Sequence, residues 1–180
     1  RLNNELMDIG LNAAESSGVH DLHSDILHTL GQLNYRNSYG QNALKHAQEV
    51  ASLAASLAKQ LGANIAITRR AGLLHDLGKA IISEEAASHT EAGVDLAFKC
   101  GESPEILHAM AAHHNEVCPL SLEALLVKIA DRLSAARPGA RHYPIEKHIE
   151  RLKHMEQLAL EFPEVKEATV LKAGREIHVL

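Results

Sequence analysis

The segment SLEALLVKIADRLSAA, residues 121–136, constrains the fold more than any other stretch of the chain. Leu122, Leu125, Leu126, Val127, Ile129, Ala130 and Leu133 do not alternate as a strand would, and on a helix they cover most of its circumference. A helix that is apolar all round is expected at the centre of a helical domain. Asp131 interrupts it. A carboxylate buried there without a partner costs on the order of several kcal/mol, so it requires a cation or a strong donor facing it.

The rest of the chain supplies helices to surround such a segment. Glycine, proline and small polar residues cut it into stretches of about 12 to 20 residues with helical periodicity. Residues 1–16 align Leu2, Leu6, Ile9 and Ala13 and stop near Gly18, and residues 24–32 form a shorter helix. From Gln41 to Leu61, Val50, Leu53, Leu57 and Leu61 recur at three- and four-residue steps. His46, four residues before Val50, shares that stripe and is expected to point inward. Asn64 caps a helix expected to run through Ile67, Ala71 and Leu74 to Gly78, with His75 and Asp76 in its last turn.

Ser88-His89-Thr90-Glu91 has the form of a capping box, and Ser103 with Pro104 opens a helix that carries Ile106, Met110 and His113. Pro144 to Phe162 reads as an amphipathic helix, and residues 168–172 and 175–180 as a hairpin around Ala173-Gly174. The expected architecture is mainly α: a helical bundle with a small C-terminal β-hairpin. Its expected divisions are a helical lead-in (1–33), a core domain (34–162) and the hairpin appendage (163–180).

Bulk properties narrow the function. The formal charge is −5, from 18 Lys+Arg against 23 Asp+Glu, so the chain as a whole is not an electrostatic trap for nucleic acid. Aromatics are 3% with no Trp, which argues against a platform for stacking bases. Cys100 and Cys118 form no paired framework, so a reducing, cytoplasmic setting is expected. No apolar run approaches the roughly 20 residues of a membrane span, and Arg1 falls inside a helical pattern, as expected of an excised piece.

Histidine is the unusual residue, at 13 copies. His46, His75 with Asp76, and Asp131 offer two imidazoles and two carboxylates, a donor set for one divalent ion. If Asp76 bridges, His89, His113 and His114 offer ligands for a second ion about 3.5 to 4 Å away, as in two-metal phosphoryl chemistry. Lys79 is open between neutralising a phosphate oxygen and complementing a helix C-terminus. The second role is open to His113 and His114 too, and Arg137 and Arg141 stand between substrate binding and solvated or structural roles.

The order His46, His75-Asp76, Asp131 resembles the HD superfamily of metal-dependent phosphohydrolases. YRNSYGQNALKH (35–46), RRAGLLHDLGKA (69–80), SHTEAG (88–93), AAHHNE (111–116), SAARPGAR (134–141) and AGREIHV (173–179) resemble the catalytic region of the ribonuclease Y family. The likeness runs over most of residues 18–180, and Asn115-Glu116-Val117 departs from the family's pattern, where Gly-Asp is expected. It implies an HD-domain bundle and an endoribonuclease that begins messenger RNA turnover in bacteria. The substrate would be single-stranded RNA, cut with water as nucleophile to leave 5′-phosphate and 3′-hydroxyl ends.

The resemblance further implies His75 and Asp76 as the catalytic pair, with His46 and Asp131 as matched ligands; Lys79, with Arg137 and Arg141 toward the RNA backbone, is expected to neutralise charge on the substrate's phosphate. His89, His113 and His114 follow from dinuclear relatives. One or two divalent ions are expected, Mn²⁺ first, with Mg²⁺, Zn²⁺ or Fe²⁺ as alternatives. Family members carry a membrane helix, a coiled coil and a KH domain ahead of the HD domain. A homodimer, contacts with other RNA-degradation proteins and anchoring to the cytoplasmic face of the membrane through that missing segment are therefore expected. The alternatives are an HD phosphohydrolase acting on a small nucleotide and a noncatalytic HD dimerisation module.

Overall fold

Apolar spacing of three and four residues produces helices α1 (Leu2–Ser16), α2 (Ser24–Leu33), α3 (Ala43–Leu61), α4 (Ile65–Leu74), α5 (Gly78–Ile81), α6 (His89–Lys99), α7 (Pro104–Ala111), α8 (Leu122–Ala136) and α9 (Ile145–Leu160). Strands β1 (Asn37–Ser38), β2 (Gln41–Asn42), β3 (Ala168–Leu171) and β4 (Glu176–Val179) complete the described elements. The structure is a computed structural model that describes residues 2–81, 88–137, 145–171 and 176–180. It is mainly helical, with the expected C-terminal hairpin formed by antiparallel β3 and β4, Ala168 opposite Val179. The turn at Ala173-Gly174 lies outside the described residues.

The chain divides into two compact units, Arg1–Arg141 and His142–Leu180. Helices α1 and α2 belong to the first unit and α9 to the second. The reason in the first unit is burial: Ala13, Ile26, Leu30 and Leu33 join Val50, Leu73, Leu74 and Met110 in one core. Each large apolar side chain fully buried there contributes roughly 1.5–3 kcal/mol. In the second unit, Glu156 on α9 accepts from the Val170 N–H of β3.

Side-chain size sets how closely α3 and α4 approach. The inner face of α3 is lined by Ala43, Ala47, Ala51, Ala54 and Ala58, all buried, and a Cβ added to Gly72 of α4 would lie 3.0 Å from Ala51 Cα. Backbones this close bring His46 of α3 and His75, just past α4, into edge contact at 5.2 Å between ring centres. Upstream of α3, Tyr39 (φ 51°) and Gly40 (φ 82°) form the two-residue turn of the β1–β2 hairpin, which delivers Gln41 to Ser134 of α8.

Three local expectations are corrected. The α8 segment is not buried all round: Ala124, Leu126, Val127 and Ala130 face the core, while Leu122, Leu125, Ile129 and Leu133 stay 38–50% exposed. The apolar pattern specified a helix, but among the described residues neighbours cover only one side of it. The α4 helix stops at Leu74 rather than reaching Gly78, because Leu77 N–H bonds Leu74 O and Lys79 N–H bonds Asp76 O, tightening the chain into a turn. Ser88 is the N-cap of α6, yet its hydroxyl makes no capping bond, whereas Asn42, Asn64 and Ser121 do cap α3, α4 and α8.

Candidate metal centre

His75 and Asp76 would project about 100° apart on a continuous helix. The tight turn after Leu74 lets both face one centre, where α3 contributes His46 and α8 contributes Asp131. Asp76 Oδ2 lies 3.2 Å from His75 Nε2 and 3.7 Å from His46 Nε2. Asp131 Oδ1 lies 3.0 Å from His46 Nε2 and 3.8 Å from His75 Nε2. The other carboxylate oxygen, Asp76 Oδ1, faces His89 Nε2 at 3.5 Å and His113 Nε2 at 3.8 Å. His114 Nε2 is 3.0 Å from His89 Nε2. Asp76 thus stands between two groups, His46/His75/Asp131 and His89/His113/His114, each with donor atoms within 4.8 Å of one another.

Hydrogen bonds on the far side of two rings fix what the near side presents. His75 Nδ1 donates to Gly72 O and His113 Nδ1 donates to Met110 O, and a carbonyl only accepts. In the neutral rings, Nε2 is therefore a lone pair aimed at Asp76. His75 Nε2, Asp76 Oδ1 and His113 Nε2 are buried with no hydrogen-bond partner among the described residues. The 3.2 Å approach of His75 to Asp76 lacks the alignment of a hydrogen bond. Buried lone pairs converging on carboxylate oxygens repel one another unless a cation sits among them, so these residues fit divalent ions.

Charge and burial compete at each group. Burial opposes charge on His75, but Asp76 and then Asp131 raise its pKa above the ordinary imidazole value. Burial opposes ionisation of Asp76, yet His75, Lys79 and His113 hold its carboxyl well below the usual range. Burial also opposes ionisation of Asp131, and the hydrogen bond from His46 with the charge of His75 prevails, lowering it. On the second side, burial lowers His89 and His114. Burial and then the His75 charge push His113 down to about 3.

The depressed His113 value has a stability consequence. Between the ordinary value near 6.5 and about 3, the unfolded chain binds a proton that the folded site refuses, so stability is lost as pH falls through 6.5. His75 acts in the opposite window, its contribution full below 6.5 and lost as pH rises through its folded value. In chelator, lowering the pH from 7 to 5 is expected to cost wild type about 2 kcal/mol more than His113→Gln, measured by urea unfolding. Equal losses would show that His113 protonates freely in the folded chain.

Other predicted residues are placed as follows. Lys79 Nζ pairs with Asp76 Oδ2 at 2.6 Å. Arg137 forks onto Glu49, Nε to Oε1 at 2.8 Å and Nη2 to Oε2 at 3.1 Å. Arg141 lies outside the described residues. Lys128 Nζ donates to His114 O, and Arg132 donates to Asn115 Oδ1, tying down the turn after the double histidine. Gln41, Glu49 and Ser134 were not singled out in the sequence, although Glu49 follows His46 by three residues on α3 and Ser134 follows Asp131 by three on α8, the spacing of one helix face.

A mainly helical frame with histidine and aspartate donors converging from several helices defines a class, and comparison with known sequences agrees. The chain belongs to the HD domain family, whose model matches residues 43–136. HD domains bind divalent metal ions, and both groups around Asp76 could hold one. The chain is 51% identical over 176 residues to a ribonuclease Y of Desulforudis audaxviator, covering 98% of this chain and 34% of that one. It is 46% identical over 176 residues to a ribonuclease Y of Desulforamulus reducens, with the same coverage. A ribonuclease Y of Staphylococcus epidermidis is 48% identical over 175 residues, 97% of this chain and 34% of the relative. The chain therefore spans about a third of the length of the curated relatives it matches. A crystal structure of a predicted HD superfamily hydrolase from an uncultured Thermotogales bacterium aligns with TM-score 0.48 and 18% identity, over 86% of this chain and 76% of that one. No helix among the described residues is long and apolar enough to cross a membrane.

Proposed function

We propose that this chain is the catalytic region of a metal-dependent endoribonuclease that hydrolyses single-stranded RNA at the start of bacterial messenger RNA decay. The observation that carries the reading is Asp76 standing between two groups of donors, Oδ2 toward His46 and His75 and Oδ1 toward His89 and His113. His46, His75, Asp76 and Asp131 would hold one divalent ion, and His89, His113 and His114 a second with Asp76 shared. Bound there, such ions supply charge to phosphoryl oxygens and acidify the water they bind. Mn²⁺ is the proposed occupant, because imidazole and carboxylate donors together suit a dication between hard and borderline.

The chain's own groups do the rest. His75 and His113, locked through Nδ1 to backbone carbonyls, keep Nε2 directed inward without rotating away. Lys79, 23% exposed beside Asp76, lies where its charge can meet a non-bridging oxygen of the scissile phosphate. Arg137 is proposed to touch the RNA backbone with the part of its guanidinium that Glu49 leaves free, and Arg141 to do so alongside it. Homodimer formation, work beside other RNA-degradation proteins and anchoring to the cytoplasmic face of the membrane belong to the longer protein and rest on the family likeness.

The test is turnover with Mn²⁺ of a short 5′-monophosphorylated RNA beside a panel of cyclic dinucleotides and alarmones, with product ends read by mass spectrometry. RNA cleavage leaving 5′-phosphate and 3′-hydroxyl ends is expected. Recovery of 2′,3′-cyclic phosphate would contradict water as the nucleophile, and turnover confined to the nucleotide panel would transfer the site to the small-nucleotide class.

A further inference from the structure

Behind His46, away from the centre, runs a chain of polar contacts that crosses from α3 to α8. His46 Nδ1 lies 2.9 Å from Ser134 Oγ, Ser134 Oγ lies 2.8 Å from Glu49 Oε2, and Glu49 carries the Arg137 fork. Gln41 Nε2 reaches the same hydroxyl at 3.3 Å. Ser134 is fully buried and His46 nearly so. The direction of the chain is set at Glu49, while at the other ring nitrogen His46 Nε2 lies 3.0 Å from Asp131 Oδ1. A carboxylate held by an arginine accepts and does not donate, so it takes the single proton of the Ser134 hydroxyl. The two lone pairs of that oxygen are left to accept, one from the Gln41 amide and one from His46, whose Nδ1 must then carry a proton.

We propose that Ser134 and Glu49, with Arg137 bracing Glu49, are positioning residues that hold His46 with its proton on Nδ1 and its Nε2 lone pair toward the metal position. The proposal rests on the reading of the centre as a metal site and adds to it the device that tunes one ligand. His75 and His113 are fixed by backbone carbonyls, which any sequence supplies; His46 is fixed by side chains, so this ligand depends on residue identity at 49, 134 and 137. With a proton held on Nδ1, Nε2 faces Asp131 Oδ1 at 3.0 Å, a contact in which a second proton or a cation can sit between the two. The relay therefore keeps Nε2 turned toward the position where a cation would sit. It also gives Arg137 a role distinct from touching substrate: its fork fixes the carboxylate plane of Glu49.

The experiment uses the full chain, ¹⁵N-labelled at histidine, in chelator and again with Zn²⁺, with His46 resonances assigned by their loss in His46→Gln. Long-range ¹H–¹⁵N spectra report which ring nitrogen is protonated. Wild type is expected to carry a proton on Nδ1 in both conditions, and Ser134→Ala to lose that preference. Glu49→Gln is expected to weaken it without opening a cavity, since the amide keeps the carboxylate's shape at a partly exposed position. Mn²⁺ titration by calorimetry is expected to give a 10- to 100-fold weaker affinity for both variants, the range for removing an outer partner of a ligating histidine. Arg137→Ala, on the surface, is expected to weaken it several-fold, with only partial rescue in Arg137→Lys, which cannot fork. A bare Nδ1 in wild type, or variants that match wild type in both tautomer and affinity, would overturn the relay. Failure of wild type to bind any divalent ion would instead defeat the metal reading, and the spectra in chelator would still judge the relay.

Discussion

Asp76→Asn is expected to lower RNA cleavage by about 10³-fold or more, equivalent to ~4 kcal/mol of transition-state stabilisation. The substitution keeps the volume and burial of the side chain and removes the one charge that both donor groups share. His46 and His75 lose the carboxylate oxygen at 3.7 and 3.2 Å, and His89 and His113 the other at 3.5 and 3.8 Å. An amide would present one donor-bearing nitrogen to histidine lone pairs on one side and a weak acceptor on the other, so neither group keeps its affinity for a dication. Metal content of protein purified without chelator is expected to fall along with activity. Circular dichroism should remain that of wild type, because Lys79, partly exposed, can turn its ammonium to water. The double variant His75→Ala/Asp76→Ala serves as the fully disabled reference. Activity of Asp76→Asn within tenfold of wild type would mean that the chemistry is done elsewhere.

What the sequence made legible follows from which interactions are local. Helix positions could be read because the three- and four-residue apolar spacing is written into each segment, and His46 could be placed inward because it shares the stripe of Val50. The burial of α8 could not be read this way: Leu122, Leu125, Ile129 and Leu133 are as apolar as Leu126 and Val127, and only the placement of α3, α4 and α7 decides which set is covered. The same distinction runs through the centre. His75 and Asp76 announce themselves as a pair before a glycine, whereas the tight turn that makes them converge depends on hydrogen bonds at Leu74 and Asp76 that no residue type specifies. Ser134 and Glu49 were invisible as partners because they lie 85 residues apart in sequence and meet only when α3 and α8 pack. Arg137, read as a candidate for RNA, pairs in the fold with a carboxylate that nothing in its own neighbourhood foretold.

Gly78→Ala is expected to have the second-largest effect, and on the fold before the chemistry. A Cβ at Gly78 would lie 1.8 Å from His89 O and 2.9 Å from Gly93 N, so the start of α5 and the first turns of α6 touch backbone to backbone. No side chain at the contact can swing aside to make room, and the methyl group can be accommodated only by moving α6. The cost is about 3 kcal/mol, which for a chain of this size lowers Tm by roughly 6 to 12 °C. Because His89 is the first residue of α6, the same displacement takes its Nε2 out of reach of Asp76 Oδ1, while His46, His75 and Asp131, on other elements, keep their places. Metal stoichiometry is therefore expected to drop by one ion per chain at a temperature well below the lowered Tm. Gly62→Ala separates sterics from backbone conformation: Gly62 has φ 73° but open space around it, so its methyl group costs only about 1 kcal/mol of left-handed strain and leaves stoichiometry unchanged. If Gly78→Ala melted within a degree or two of wild type and bound as many ions, α6 would not be held against the turn after Asp76, and His89 would have no fixed relation to the centre.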